Sequence, residues 1–95
     1  MNPMNLWDRF YGSSVAHDFS GRKMIKAHYG RSDLATGWNV DHIIPLSTRT
    51  NNRIENLLVV NCRTNAEKAD KNTFIANGKR FQVKRINGQL TIVEI

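Results

Sequence analysis

The chain has 95 residues, with 14 Lys and Arg against 8 Asp and Glu, a formal charge of +6 and a pI near 10. That length allows one small domain with a limited core, and a hydrophobic fraction of 40% with clear segment periodicity argues against a disordered chain. A balance this basic is the footprint of a polyanion binder or simply a soluble basic surface, and composition leaves the two readings level.

Cys62 is the single cysteine, so neither an intrachain disulfide nor a Cys₄ or Cys₂His₂ zinc site can form. A buried, reduced thiol in a cytoplasmic protein is the simplest account of it. The opening MNPMNLWDRF lacks an apolar core behind a basic head, so no signal peptide is expected. No apolar run approaches the roughly 18 residues of a membrane span, and no internal repeat is present.

In chain order, Asn2-Pro3 reads as an N-cap followed by proline at the first helical position. Met4, Trp7, Phe10 and Tyr11 then fall at helical spacing, as a core stripe, and Gly12 can stop the helix. Val15, His17 and Phe19 alternate with Ala16 and Asp18 as a short strand, Ser20-Gly21 turns, and 22–27 returns as a second strand. Arg22, Lys23, Lys26 and Arg31 make this arm basic; His17 and His28 are possible ligands, though surface or strand histidines are commoner. After a polar connection over 30–37, the alternation of Trp38 and Val40 with Asn39 and Asp41 predicts a strand over 38–43, ended before Pro45. A polar loop over 46–55 leads to a buried strand over 57–60 that pairs with the first. A helix follows, capped by Asn61 in preference to Thr64, which could form a capping box with Glu67. Two Asn-Gly pairs, Asn77-Gly78 and Asn87-Gly88, then predict a three-stranded meander over 73–76, 79–86 and 89–95. A two-residue turn at Asn87-Gly88 pairs Val83 with Ile92 and Lys84 with Thr91. Val83, Ile92 and Leu90 then face the core and Arg80 and Lys84 point outward. That outward pair could track phosphates or only keep the edge soluble, the second being the better bet for each residue alone.

The chemistry lies in WNVDHIIPLSTRTNNRIENLLVVNCRTNAEKADK, residues 38–71. Phosphodiester hydrolysis needs a water deprotonated, a pentavalent anion stabilised and a leaving oxygen neutralised. A histidine accepts protons near neutral pH, and a divalent cation suits the other two tasks. Asp41 offers a carboxylate and Asn65 an amide oxygen, while His42 beside Asp41 would be the base. Consecutive strand residues point to opposite faces, so one site for Asp41 and His42 requires the strand to end or distort at the pair. Asn56 could tie down the loop through its amide.

These residues closely resemble the HNH nuclease family, whose ββα-metal motif occurs in some homing endonucleases, restriction enzymes, phage nucleases and RNA-guided CRISPR effectors. The resemblance rests on Asp41-His42-Ile43-Ile44-Pro45, Glu55-Asn56-Leu57 and Asn65-Ala66-Glu67-Lys68, with Asn56 and Asn65 lying 14 and 23 residues after His42. Gly37-Trp38-Asn39-Val40 looks like the family's entry into the first strand. The ordered set is far more specific than any of its parts.

The resemblance implies an α+β fold in a single domain. A ββα-metal core over about 38–71 would be flanked by an N-terminal helix, a basic strand arm and the C-terminal meander. It implies His42 as general base, Asp41 and Asn65 as metal ligands, and Asn56 as the residue that positions His42. Lys68 would contact phosphate, with Lys71, Arg49 and Arg53 as weaker candidates. Many relatives hold a structural zinc with cysteine pairs; with Cys62 alone, hairpins and aromatic packing must replace it. One carboxylate and one amide favour Mg²⁺ or Mn²⁺ over Zn²⁺. The expected activity is cleavage of double-stranded DNA to 5′-phosphate and 3′-hydroxyl ends, a monomer nicking one strand, in a cytoplasmic protein of bacterial or phage type. The alternatives are a non-catalytic nucleic-acid-binding module on the same scaffold, or a nuclease acting on RNA.

Overall fold

Asn2 caps the first helix, α1 (Pro3–Phe10): its side chain accepts the Met4 amide at 2.8 Å and Pro3 takes the first position. The computed structural model describes residues 2–44 and 53–95. The predicted stripe on α1 needs correction. Leu6 and Trp7 are buried and Tyr11 packs beside them, whereas Met4 and Phe10 stay at the surface. A helix this short leans on its neighbours through one narrow flank, so Met4 near its start and Phe10 at its end are left outside.

Strands β1 (Val15–His17) and β2 (Lys23–Ile25) pair antiparallel, Ala16 opposite Met24. The second is shorter than 22–27 because the chain tightens into a 3-10 turn over Lys26–His28. Strands β3 (Trp38–His42) and β4 (Leu57–Asn61) form a second antiparallel pair, from Trp38 opposite Asn61 to His42 opposite Leu57. A 3-10 turn, Ile54–Asn56, precedes β4 where a loop was expected. Helix α2 (Cys62–Lys68) begins at once, with Asn61 as its cap accepting the Arg63 amide at 2.9 Å. Strands β5 (Thr73–Ala76), β6 (Lys79–Ile86) and β7 (Gln89–Glu94) make the meander. Both Asn-Gly turns have positive φ at each residue, the geometry that two-residue hairpins require. The pairings Val83 with Ile92 and Lys84 with Thr91 are as the alternation predicts.

Two apolar clusters result. One gathers Leu6, Trp7, Met24, Trp38 and Val59, with Tyr11, Ala16, Val40 and Leu57 packed against it. Trp38 lies at its centre, 4.8 Å from the Trp7 ring, with its indole N–H donated to the Lys26 carbonyl. The other holds Phe74, Ala76 and Phe81 against Phe19, Val83 and Ile92. Phe19, from the end of the first hairpin, meets the Phe81 ring edge-on at 5.0 Å and so belongs to the meander's core.

Beside Phe19 runs a buried polar hub. The Asp18 carboxylate accepts the Ser20 amide and hydroxyl, the Arg22 amide and, at 3.2 Å, the Asn61 amide. Ser20 meets Thr64 of α2, and Arg22 bonds both Thr64 and Glu67. Glu67 also accepts the Asn77 amide, and Asn77 donates its side-chain amide to the Ser20 carbonyl. One hub therefore holds the first hairpin, α2 and the first meander turn together.

Candidate active site

The ladder sets the direction of each side chain on β3. Asn39 and Asp41 share a face, and that face meets α2. Asn65 donates its side-chain amide to Asn39 Oδ1 at 3.0 Å, and Lys68 Nζ lies 3.4 Å from Asp41 Oδ2. Asn65 and Lys68 are three residues apart on α2, so one side of the helix presents both toward the strand. Asp41, Asn65 and Lys68 therefore meet at the β3–α2 interface. Asn39 completes the group and has no counterpart among the residues singled out from sequence. Its signal was available in principle: it lies two positions before Asp41, on the same strand face.

Lys68 requires a correction. The expected phosphate contact is fully buried. Its ammonium donates to the His42 carbonyl at 3.2 Å and the Ala69 carbonyl at 3.3 Å, with Asp41 as counter-ion. A long, flexible cation held this way joins the end of β3 to the end of α2 and does not reach solvent. Ala69 itself adopts a positive φ of 50° as the helix ends.

His42 is the last residue of β3, with its backbone held from three directions. Lys68 holds its carbonyl, Leu57 pairs across the ladder, and Asn56 fixes the next residues. The Asn56 carbonyl accepts the Ile43 amide at 2.8 Å. Its side-chain amide grips Ile44 twice, accepting from the nitrogen at 2.9 Å and donating to the carbonyl at 3.2 Å. Asn56 is buried and its amide makes these bonds to Ile44, two residues beyond His42. Regular pairing runs through both Asp41 and His42, so the ladder is not broken between them; it ends at His42, and the chain bends at Ile43 and Ile44.

Asp41 Oδ2 is buried and, among the described residues, has no hydrogen-bond partner. At 3.4 Å the Lys68 ammonium offers charge but not a hydrogen bond, so one carboxylate oxygen retains unused acceptor capacity. Among the described residues no group of three or more His, Cys, Asp and Glu could hold a metal. A site here would use one carboxylate and an amide oxygen, a donor set that suits a hard cation retaining several waters.

Lys71 is exposed just past α2, its backbone amide bonded to the Lys68 carbonyl. Arg53 is exposed at the start of the 3-10 turn before β4, and Arg49 and Pro45 lie outside the described residues. His28 bonds Thr36 at 2.7 Å, and His17 is exposed on β1. Cys62 is half-buried rather than buried, and burial pushes its thiol pKa up, which disfavours the nucleophilic thiolate.

A strand pair thus feeds directly into a helix, with the Asp41 carboxylate and the Asn65 side-chain amide at the β3–α2 interface and His42 closing β3. A family model described as HNH endonuclease matches residues 19–74, more than half of the chain, spanning β2 to β5. The chain belongs to the HNH endonuclease family. No protein of curated function and no solved structure matches it. Membership implies nuclease chemistry with a nucleic acid as substrate.

Proposed function

We propose that the chain is a metal-dependent DNA endonuclease, with β3, β4 and α2 serving as its ββα-metal core. The observation that carries this reading is the buried Asp41 oxygen without a hydrogen-bond partner, beside Asn65 on α2. Lys68 supplies this oxygen with charge at 3.4 Å but no hydrogen bond, so it keeps acceptor capacity that a bound cation would use. Asp41 and Asn65 would hold one Mg²⁺ or Mn²⁺. When bound, the ion would supply electrostatic stabilisation of the charge gathering on the phosphoryl oxygens and the departing 3′ oxygen.

The chain's own residues do the rest. Asn39 holds the amide nitrogen of Asn65, which leaves its oxygen available as a ligand. His42, at the end of β3, accepts a proton from water. The resulting hydroxide forms a bond to phosphorus as the bond to the 3′ oxygen breaks, and that oxygen takes up a proton. Asn56 and Lys68 are positioning residues, one gripping Ile44 and the other the His42 carbonyl. A chain with one such centre cuts one strand per encounter, so nicking is the expected mode.

The test is product chemistry on a short DNA duplex labelled on one strand. With Mg²⁺ or Mn²⁺, wild type should release fragments with 5′-phosphate and 3′-hydroxyl ends, and His42→Ala should release none while still binding the duplex. Binding without cleavage by wild type would reject the enzyme and leave a binding module. Cleavage confined to an RNA strand would reject DNA as substrate.

A further inference from the structure

We propose that the outer face of the C-terminal meander, with Lys71 at its margin, is a phosphate-contacting surface for duplex DNA. It is separate from the catalytic junction but continuous with it, and it rests on the DNA-nuclease reading above.

The pleat divides the meander into two faces. Phe81 and Val83 of β6 pack inward, against Phe74 and Ala76 of β5 and Ile92 of β7. Arg80 and Lys84 therefore project outward, with Gln82 between them, flanked by Thr73 and Ile75 on β5 and by Thr91 and Val93 on β7. Arg80, Lys84, Thr73 and Ile75 are all exposed. No strand residue on this face is acidic: Glu94, the one acid of the three strands, pairs with Phe81 and takes the inward parity.

Partnering separates these cations from the ion-paired ones. Arg22, Lys26, Arg31 and Lys68 each have a carboxylate within ion-pair distance. Lys71, Arg80 and Lys84 have none, and no side-chain hydrogen bond, among the described residues. Lys71 and Arg80 line one hollow of about 370 Å³ together with Thr73 and Ile75. Glu67 also borders it, but Arg22 and the Asn77 amide engage its carboxylate, and the Arg22 hydrogen bond lowers its pKa. The hollow thus keeps an uncompensated positive charge.

The spacing suits a nucleic-acid backbone. Four strand residues separate the Arg80 and Lys84 side chains by about 13 Å, the axial rise of about four nucleotides in one DNA strand. Lys71 extends the row toward α2, its amide bonded to the carbonyl of Lys68, whose ammonium faces Asp41. A duplex lying on the sheet would so be led to the β3–α2 junction. The Thr73 hydroxyl and the Gln82 amide add neutral donors suited to phosphate oxygens.

The experiment measures duplex binding against salt in the His42→Ala background, using a random-sequence duplex, with cleavage by the same variants assayed separately. Lys71→Gln/Arg80→Gln/Lys84→Gln should bind about 10-fold or more weakly near 0.1 M salt, with the slope of log K against log salt reduced by about 2–3. An equal-charge control, Arg9→Gln/Lys26→Gln/Arg31→Gln, should lose much less, and Lys71→Arg/Lys84→Arg should bind like the parent. Thermal melts of every variant show whether a loss comes from unfolding. If the meander variant and the control lose affinity equally, or the meander variant loses none while wild type still cleaves DNA, this surface is rejected and the nuclease reading stands. A single-stranded RNA bound in preference to the duplex on this face would reject duplex DNA as its occupant. Wild type that neither binds nor cleaves DNA would overturn both.

Discussion

A fully buried ammonium is unfavourable unless its charge and donors are met, and Lys68 has Asp41 as counter-ion and donates to the His42 and Ala69 carbonyls. Removing it alone should therefore leave Asp41 stranded. Lys68→Met is expected to cost about 2 kcal/mol in urea unfolding, below the ~3–5 kcal/mol typical of fully buried pairs, because the Asp41 side chain keeps 22% exposure. The double variant Asp41→Asn/Lys68→Met should recover more than half of that loss; equal destabilisation by both would show that the pair is not coupled. Tyr11 gives the pH signature. Its hydroxyl donates to the Val59 carbonyl, and burial, reinforced by the Asp18 carboxylate, pushes its pKa up to about 12 from 10.0. The folded value is the higher one, so this stabilisation is fully present below pH 10.0 and is lost as pH rises toward about 12. Tyr11→Phe should flatten the fall of stability across that window when unfolding is followed at graded alkaline pH.

At the scale of elements, Asn61 does the most with one side chain. It caps α2 through the Arg63 amide while its own amide group donates to the Lys23 and Ala35 carbonyls. Asn61→Ala should lose about 1 kcal/mol for the cap and about 1 kcal/mol for each carbonyl left short. The expected total is about 2–3 kcal/mol in urea, with cleavage falling alongside because α2 carries Asn65; a loss under about 0.5 kcal/mol would show that the cap does not hold the helix. Elements like this were legible in the sequence because their causes are local. Asn61 as cap, Pro3 at the start of α1 and both Asn-Gly turns follow from backbone chemistry within a few residues, and each turn fixed a register. What was not legible is non-local. Lys68 reads as a surface cation until β3 is packed over it. Asn39 matters only because Asn65 arrives opposite, and Phe19 leaves its own hairpin for the meander's core. Charge pattern likewise revealed Arg80 and Lys84 as an outward pair, but not that Arg22 engages Glu67 or that Glu94 takes the other face.

Across the whole molecule, two apolar clusters are tied by the Asp18 hub, which takes hydrogen bonds from the first hairpin and from the start of α2. The radius of gyration of 12.6 Å matches a compact unit of this length, about 12 Å. Since this tie is made of the chain's own hydrogen bonds, stripping divalent ions with a chelator should leave the melting temperature within about 2 °C, about 0.5 kcal/mol or less for a domain this size. A drop of 10 °C or more would mean that a metal holds the fold rather than the reaction. The central claim is that the β3–α2 junction hydrolyses DNA with one divalent ion, and relaxation of supercoiled plasmid tests it most directly. Wild type with Mg²⁺ or Mn²⁺ should convert supercoiled DNA to relaxed circles before any linear form appears, while chelator, Asp41→Ala and His42→Ala each abolish the conversion. Relaxation by His42→Ala at the wild-type rate, or none by wild type with either ion, would contradict it.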